Sequence, residues 1–138
     1  MRKNERPCCV RYERFRVLLS AVKKISAVKL AVVQITKGSA VPVFSDAIIS
    51  EYNRVLRYKK FDFPESDIVA FVRFIVRNGF HVVPFESDAQ FTDKSDKHFY
   101  DAALTAGAKY LVTGNKRHFP HEPFIVSAAE YLDAIRNG

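Results

Sequence analysis

From Ser26 onward the apolar residues alternate between short unbroken runs and helical spacing. Ala27, Leu30, Ala31 and Ile35 share an approximate helical face that stops at Lys37–Gly38, with glycine in its usual C-terminal place. Val41-Pro-Val-Phe44 is a short apolar run of the kind that forms a buried strand. Ser45 is placed to cap a helix with Ile48, Ile49, Tyr52, Val55 and Leu56 turned inward. A loop through Lys59–Phe63 leads to Pro64 at a helix start, and Ile68, Phe71, Val72 and Ile75 keep helical period up to Gly79. Phe80–Pro84 reads as a second strand, Asp96–Ala106 as a helix closed by Gly107, and Tyr110–Val112 as a third strand running into Thr113-Gly-Asn115. Phe124–Val126 predicts a last strand. Ser127 with Glu130 three residues on forms a capping box for a terminal helix over Ala128–Arg136. Strands that alternate with helices predict an α/β fold with a mainly parallel sheet. No repeat, low-complexity stretch or linker divides the chain, so residues 1–138 are expected to form one domain.

Residues 1–25 break this order. Such a domain normally opens on an apolar strand, yet Pro7-Cys-Cys-Val10 runs into Arg11-Tyr-Glu-Arg-Phe-Arg16, with neither a period of 2 nor one of 3.6. The charge follows the same boundary. Of a net +7, residues 1–24 contribute eight basic and two acidic residues, and the rest 14 basic against 13 acidic. Net charge is therefore a weak pointer to nucleic acid in the body of the protein. No apolar run approaches a membrane span of roughly 20 residues, and the basic N-terminus has no apolar core leading to a cleavage site. The adjacent Cys8 and Cys9 fit neither a disulfide framework nor a metal spacing. These features predict a cytoplasmic protein.

The candidate chemistry is acidic. Glu51 lies in a helix that leaves the carboxyl end of a strand, Asp96 opens another, and Asn115 follows the Tyr110–Val112 strand. In open parallel sheets ligands bind beyond the carboxyl ends of the strands, where such distant residues converge. Carboxylates without His or Cys suit hard ions such as Mg²⁺ or Mn²⁺, which activate water and stabilise an attacked phosphate. Each acid alone has a plainer reading, because Asp at a helix start is usually a cap or a dipole partner. Lys116 and Arg117 are placed to meet the phosphate of such a substrate and are equally ordinary as surface charges. His118 and His121 read as loop histidines, and Tyr52 as a packing residue.

In order and spacing, Ser45-Asp-Ala-Ile-Ile-Ser-Glu51-Tyr52, Asp96-Lys-His-Phe-Tyr-Asp101-Ala-Ala103 and Ala108-Lys-Tyr-Leu-Val-Thr113-Gly-Asn115 resemble the PIN-domain family, in particular its toxin–antitoxin members. The likeness runs from Ser26 to the C-terminus. It implies a three-layer α/β/α domain and a Mg²⁺- or Mn²⁺-dependent endoribonuclease, with RNA as substrate, an antitoxin protein as partner and a possible homodimer. Under it, Glu51 and Asp96 become metal carboxylates, and Asn115 stands where many members carry a fourth acid. Thr113 orients a water or carboxylate, Asp101 is a supporting acid, and Asp93 belongs to a mobile loop before the helix.

The family's first strand ends in Asp-Thr-Asn, whose Asp is the central metal ligand, and this chain has no such triplet. One codon choice for Arg11–Val17, read from the second nucleotide, spells Asp-Thr-Asn-Val-Phe-Val. Cys8-Cys9-Val10 shifts to Val-Val and a third residue, a buried strand. An out-of-frame segment up to about Lys24 and a divergent N-terminus are the two accounts of residues 1–25. Three function classes follow: a metal-dependent ribonuclease, a non-catalytic PIN-like module that binds nucleic acid or protein, and a small signalling domain. The last needs a phosphoacceptor Asp at a strand end, and none occurs.

Overall fold

A computed structural model describes residues 15–19 and 40–137. The helix expected over Ser26–Lys37 and the shifted strand at Cys8–Val10 lie outside the described residues. Five strands form one sheet in the order β3-β2-β1-β4-β5: β1 Phe15–Leu19, β2 Ala40–Phe44, β3 Phe80–His81, β4 Tyr110–Val112 and β5 Ile125–Val126. Every pairing is parallel. Among the described residues the α-helices are α1 Asp46–Val55, α2 Glu65–Asn78, α3 Lys94–Ala106 and α4 Ala128–Asn137. Helix α2 packs on β2, α3 on β1, β2 and β4, and α4 on β4 and β5.

The apolar pattern seats these elements as expected. Ile48, Tyr52 and Val55 of α1, Ile68 and Ile75 of α2, and Phe99, Ala102, Ala103 and Ala106 of α3 are buried. Tyr52 stacks edge-on against Phe71 and tilts against Phe99, which ties α1 to α2 and α3. The caps are local chemistry. Ser45 accepts from the Ile48 N–H at 3.2 Å. Ser127 Oγ accepts from the Glu130 N–H, and the Glu130 carboxylate accepts from the Ser127 N–H at 2.8 Å. Gly107 closes α3 in the left-handed region at φ 61°.

Three expectations change. The stretch without a clear period contains β1, the central strand, with Val17 buried at the register position of Tyr110. The second strand is only Phe80–His81 rather than Phe80–Pro84. Its neighbour β2 ends at Phe44, Ser45 starts a helix, and the ladder has no partner beyond the Val82 N–H, which reaches Phe44 O. Helix α3 starts at Lys94 rather than Asp96, because Asp93 is the cap: its Oδ1 accepts from the Ser95 N–H at 2.8 Å. Asp93 is thus an anchored helix cap.

Candidate active site

The strand order reverses direction at β1: the chain builds outward to β2 and β3, then returns to place β4 and β5 on the other side. The crevice of such a sheet opens beyond the carboxyl ends of the two strands at the reversal, β1 and β4. Leu19 and Val112 are register partners there. Thr113 follows β4 and is buried. Its N–H donates to Val126 O at 2.9 Å, and its Oγ1 accepts from the Asn115 N–H at 3.1 Å. That turn holds the Asn115 backbone at the crevice. Asn115 Nδ2 lies 3.2 Å from both ring nitrogens of His118, and His118 Nδ1 lies 3.4 Å from Asp96 Oδ2. Asp96, in the first turn of α3, is thereby linked through His118 to the end of β4.

Glu51 stands apart from that cluster in its bonding. Its carboxylate takes a bidentate pair from Arg54 of its own helix, at 3.2 and 2.6 Å. The pair pushes the guanidinium up from its ordinary value, first through the hydrogen bond to Glu51. Arg54 also donates to the Tyr58 hydroxyl. Tyr52 is fully enclosed, and burial pushes its phenol far above the usual range, which makes it the packing residue expected of it.

Asp101 is five residues beyond Asp96, about 140° around the helix at 100° per residue. It lines a different cleft, of about 690 Å³, between the start of α1, the segment after β3 and α3. The residue is buried at 5% exposure, and Oδ2 is 2.8 Å from Lys97 Nζ. Burial pushes its carboxyl up, but the hydrogen bond from Lys97, helped by the hydroxyl and N–H of Ser87, holds it below the ordinary carboxylate value. Oδ1 has no partner at full hydrogen-bond geometry, so the Ser87 contribution is the looser one. Lys116 is paired with Glu130 at 3.0 Å, whereas Arg117 makes no ion pair among the described residues.

Asp96, Thr113 and Asn115 therefore gather at the crevice, with Glu51 and Asp101 engaged by cations of their own helices. Sequence reasoning undervalued His118, whose partners lie 22 residues upstream and three residues upstream, a pairing no local pattern signals. Arg54 and Lys97 carried a readable signal, since opposite charges three or four residues apart on a helix are neighbours.

An all-parallel α/β sheet with polar side chains collected at its reversal point defines a ligand-binding or catalytic domain of the open-sheet class. The family profile described as the PIN domain matches residues 16–117, which is 102 of 138 residues, and the chain belongs to that family. No curated protein and no solved structure matches it. The PIN fold is a nuclease-type fold that binds nucleic acid and generally uses divalent metal ions. No helix among the described residues is long and apolar enough to cross a membrane.

Among the described residues the donor set does not complete such a metal site. Among the described residues no three His, Cys, Asp or Glu side chains are grouped to hold an ion. The sequence between Glu13 and Asp46 contains no Asp or Glu, so neither β1 nor the 26 residues after it supply a carboxylate. Hard ions depend on the number and charge of their oxygen ligands. Among the described residues, Asp96 is the acid linked through an imidazole to the end of β4, and Glu51 is ion-paired with Arg54.

Proposed function

We propose that the scaffold is that of a Mg²⁺- or Mn²⁺-dependent endoribonuclease of the toxin type, and that the chain as written binds RNA at the β1/β4 crevice without efficient cleavage. The observation that carries this reading is the one-sided crevice. The β4 and α3 side contributes Thr113, Asn115 and Asp96, while β1 contributes no acid. Arg117, one residue into the short 3₁₀ turn Lys116–His118 and without an ion-pair partner among the described residues, is the cation best placed for RNA phosphate. Lys116 must leave Glu130 to assist it. One domain over residues 1–138 with an atypical segment 1–25, a cytoplasmic setting, a cognate antitoxin and a homodimer belong to the same reading and rest on the family likeness. So does the shifted frame through Arg11–Val17 as the origin of the missing acid.

The test is a ribonuclease assay with Mn²⁺ on this chain and on a frame-restored version that carries Asp-Thr-Asn at positions 11–13, with RNA affinity measured in chelator for both. Cleavage only by the restored version, with similar affinity for both, is the expected result. Cleavage by the chain as written overturns the claim of an incomplete site. Absence of RNA binding by both overturns the nucleic-acid reading itself. Sequencing the gene decides the frame: if no alternative frame across residues 11–17 encodes Asp-Thr-Asn, the shift is excluded.

A further inference from the structure

The turn between α1 and α2 gathers aromatic rings and cations at the surface. Residues 54–63 read Arg-Val-Leu-Arg-Tyr-Lys-Lys-Phe-Asp-Phe, four cations against one acid. A 3₁₀ turn over Lys59–Phe61 ends at Asp62, the one non-glycine residue in the left-handed region among the described residues, at φ 51°. That conformation is uncommon outside glycine and persists where the surroundings hold it. Here it turns the chain so that Phe61 and Phe63 stack, with 5.6 Å between ring centroids and 27° between planes. Tyr58 extends the series, 6.1 Å and 18° from Phe61. All three rings are half-buried. The Lys60 ammonium lies 5.4 Å over the Phe61 ring, and the Arg54 guanidinium 5.6 Å over Tyr58. Arg54 and Arg57 are paired with Glu51 and Glu65, whereas Lys59 and Lys60 are exposed and make no ion pair among the described residues.

We propose that this turn is a stacking platform for single-stranded RNA: unpaired bases lie on the rings from Tyr58 to Phe63, and Lys59 and Lys60 take the phosphates between them. The proposal rests on the RNA reading above and adds where the strand lies and why an unpaired one is chosen. Aromatic faces beside unpaired cations are the means by which proteins hold single strands, whereas a duplex keeps its base faces inside its own stack. Lys60 marks an accessible ring face, because its exposed ammonium yields that face to a base and follows the phosphate. The two lysines select an anion, and the near-parallel rings select planar groups. An acidic protein segment supplies the first and lacks a run of the second. The platform is also tied to Glu51, since the Tyr58 hydroxyl accepts from Arg54 and Arg54 holds the Glu51 carboxylate. A strand seated there lies beside the acid that the family likeness assigns to the metal site.

The experiment uses the full chain in chelator and three labelled probes of about ten nucleotides: a single-stranded RNA, the same RNA as a duplex, and an abasic strand. Fluorescence anisotropy is expected to show the single strand bound most tightly. Phe61→Leu keeps an apolar side chain and removes the ring; it weakens the single strand about fivefold or more and leaves the abasic strand unchanged. Lys59→Ala with Lys60→Ala lowers the slope of log affinity against log salt by about 1.4, at roughly 0.7 for each phosphate contact on a single strand. Melting curves by circular dichroism check that both variants fold, and if Phe61→Leu does not, the exposed lysine pair decides the matter. Single-strand binding that neither variant moves overturns the proposal and leaves the RNA reading standing, because the crevice or the basic N-terminus then holds the strand. Equal affinity for the duplex or the abasic strand also overturns it, since stacking then contributes nothing. Binding of none of the three probes overturns the proposal and the RNA reading together.

Discussion

Gly79 joins α2 to β3, and a methyl group there has no room. A Cβ built on it meets Ile75 O at 2.4 Å, Pro42 O at 2.7 Å and Phe44 Cδ1 at 2.8 Å. Carbon contacts relax at about 3.5–4.0 Å, so the neighbours must retreat by roughly an ångström. Two of the three are backbone carbonyls, one in the last turn of α2 and one in β2, and neither swings away like a side chain end. Overpacking of this kind costs about 1–3 kcal/mol. Removing glycine from the unfolded chain returns about 0.4–1 kcal/mol. Gly79→Ala is therefore expected to lose about 1–2 kcal/mol, a fall in Tm of roughly 3–8 °C for a domain of this length. Gly107 is the internal control. Nothing lies within 4 Å of its Cβ position, and its cost arises from φ +61° instead. Gly107→Ala loses about 1–2 kcal/mol and Gly107→Asn recovers most of it, whereas Gly79→Asn is worse than Gly79→Ala. Thermal and urea unfolding followed by circular dichroism read all four. If Gly79→Ala melts at or above the parent, the close approach of α2 to β2 is wrong.

The Asp101 carboxyl sits below its ordinary value when folded, so its stabilisation is present above the unfolded pKa and disappears as pH falls through the folded one. Asp101→Asn is expected to cost about 1–3 kcal/mol at pH 7, with the gap narrowing below about pH 4; urea midpoints at pH 7, 5 and 3 test this, and a constant gap contradicts it. Ser127→Ala removes one half of the reciprocal cap on α4 and should lower stability by about 0.5–2 kcal/mol, a loss that chemical denaturation resolves. Burial, aided by Glu122, pushes Tyr100 up to about 12, and burial pushes Tyr131 to about 12 and Tyr52 higher. An ultraviolet titration of the folded chain should leave these three of the six tyrosines un-ionised at pH 10; release of all six protons by then contradicts their burial.

Local chemistry made much of the fold legible. Ser45, the Ser127–Glu130 box and Gly107 satisfy backbone groups within four residues of themselves, and sequence neighbours suffice to find them. Non-local partners hid the rest. Strand β3 stops where β2 runs out, a fact about residues 37 positions away, and Pro84, which has no N–H, ends the expected run. Asp93 and Asp96 share one stretch of charged residues, and composition alone does not choose the cap; the bond to the Ser95 N–H does. In the candidate site the order Glu51, Asp96, Asn115 was legible as spacing. That Glu51 bonds to Arg54 and Asp96 to His118 depends on rotamers and on a turn that brings residue 118 to residue 96.

The central strand joins the fold to the missing acid. The shifted reading puts the aspartate at position 11, yet β1 begins at Phe15 and meets the crevice at Leu19. Val17-Leu18-Leu19 is the first run of three aliphatic residues in the chain. A strand paired on both sides in a covered parallel sheet demands such a run, so this segment fills the central position when Arg11, Glu13 and Arg14 are unsuited to it. If residues 8–13 instead encode a buried strand ending in Asp-Thr-Asn, position 11 must occupy the place Leu19 holds now, a slide of eight positions. Eight is even, so the alternation of faces survives the slide, and the sheet can accept either segment. Hydrogen exchange distinguishes them. In the chain as written the amides of residues 15–19, paired with β2 and β4, are expected to be protected; in the frame-restored version protection should move to residues 7–11, together with gain of Mn²⁺-dependent cleavage. Protection that stays at 15–19 while cleavage appears would mean the aspartate reaches the crevice by another path. Protection that stays while cleavage does not appear would leave the divergent N-terminus as the account of this chain.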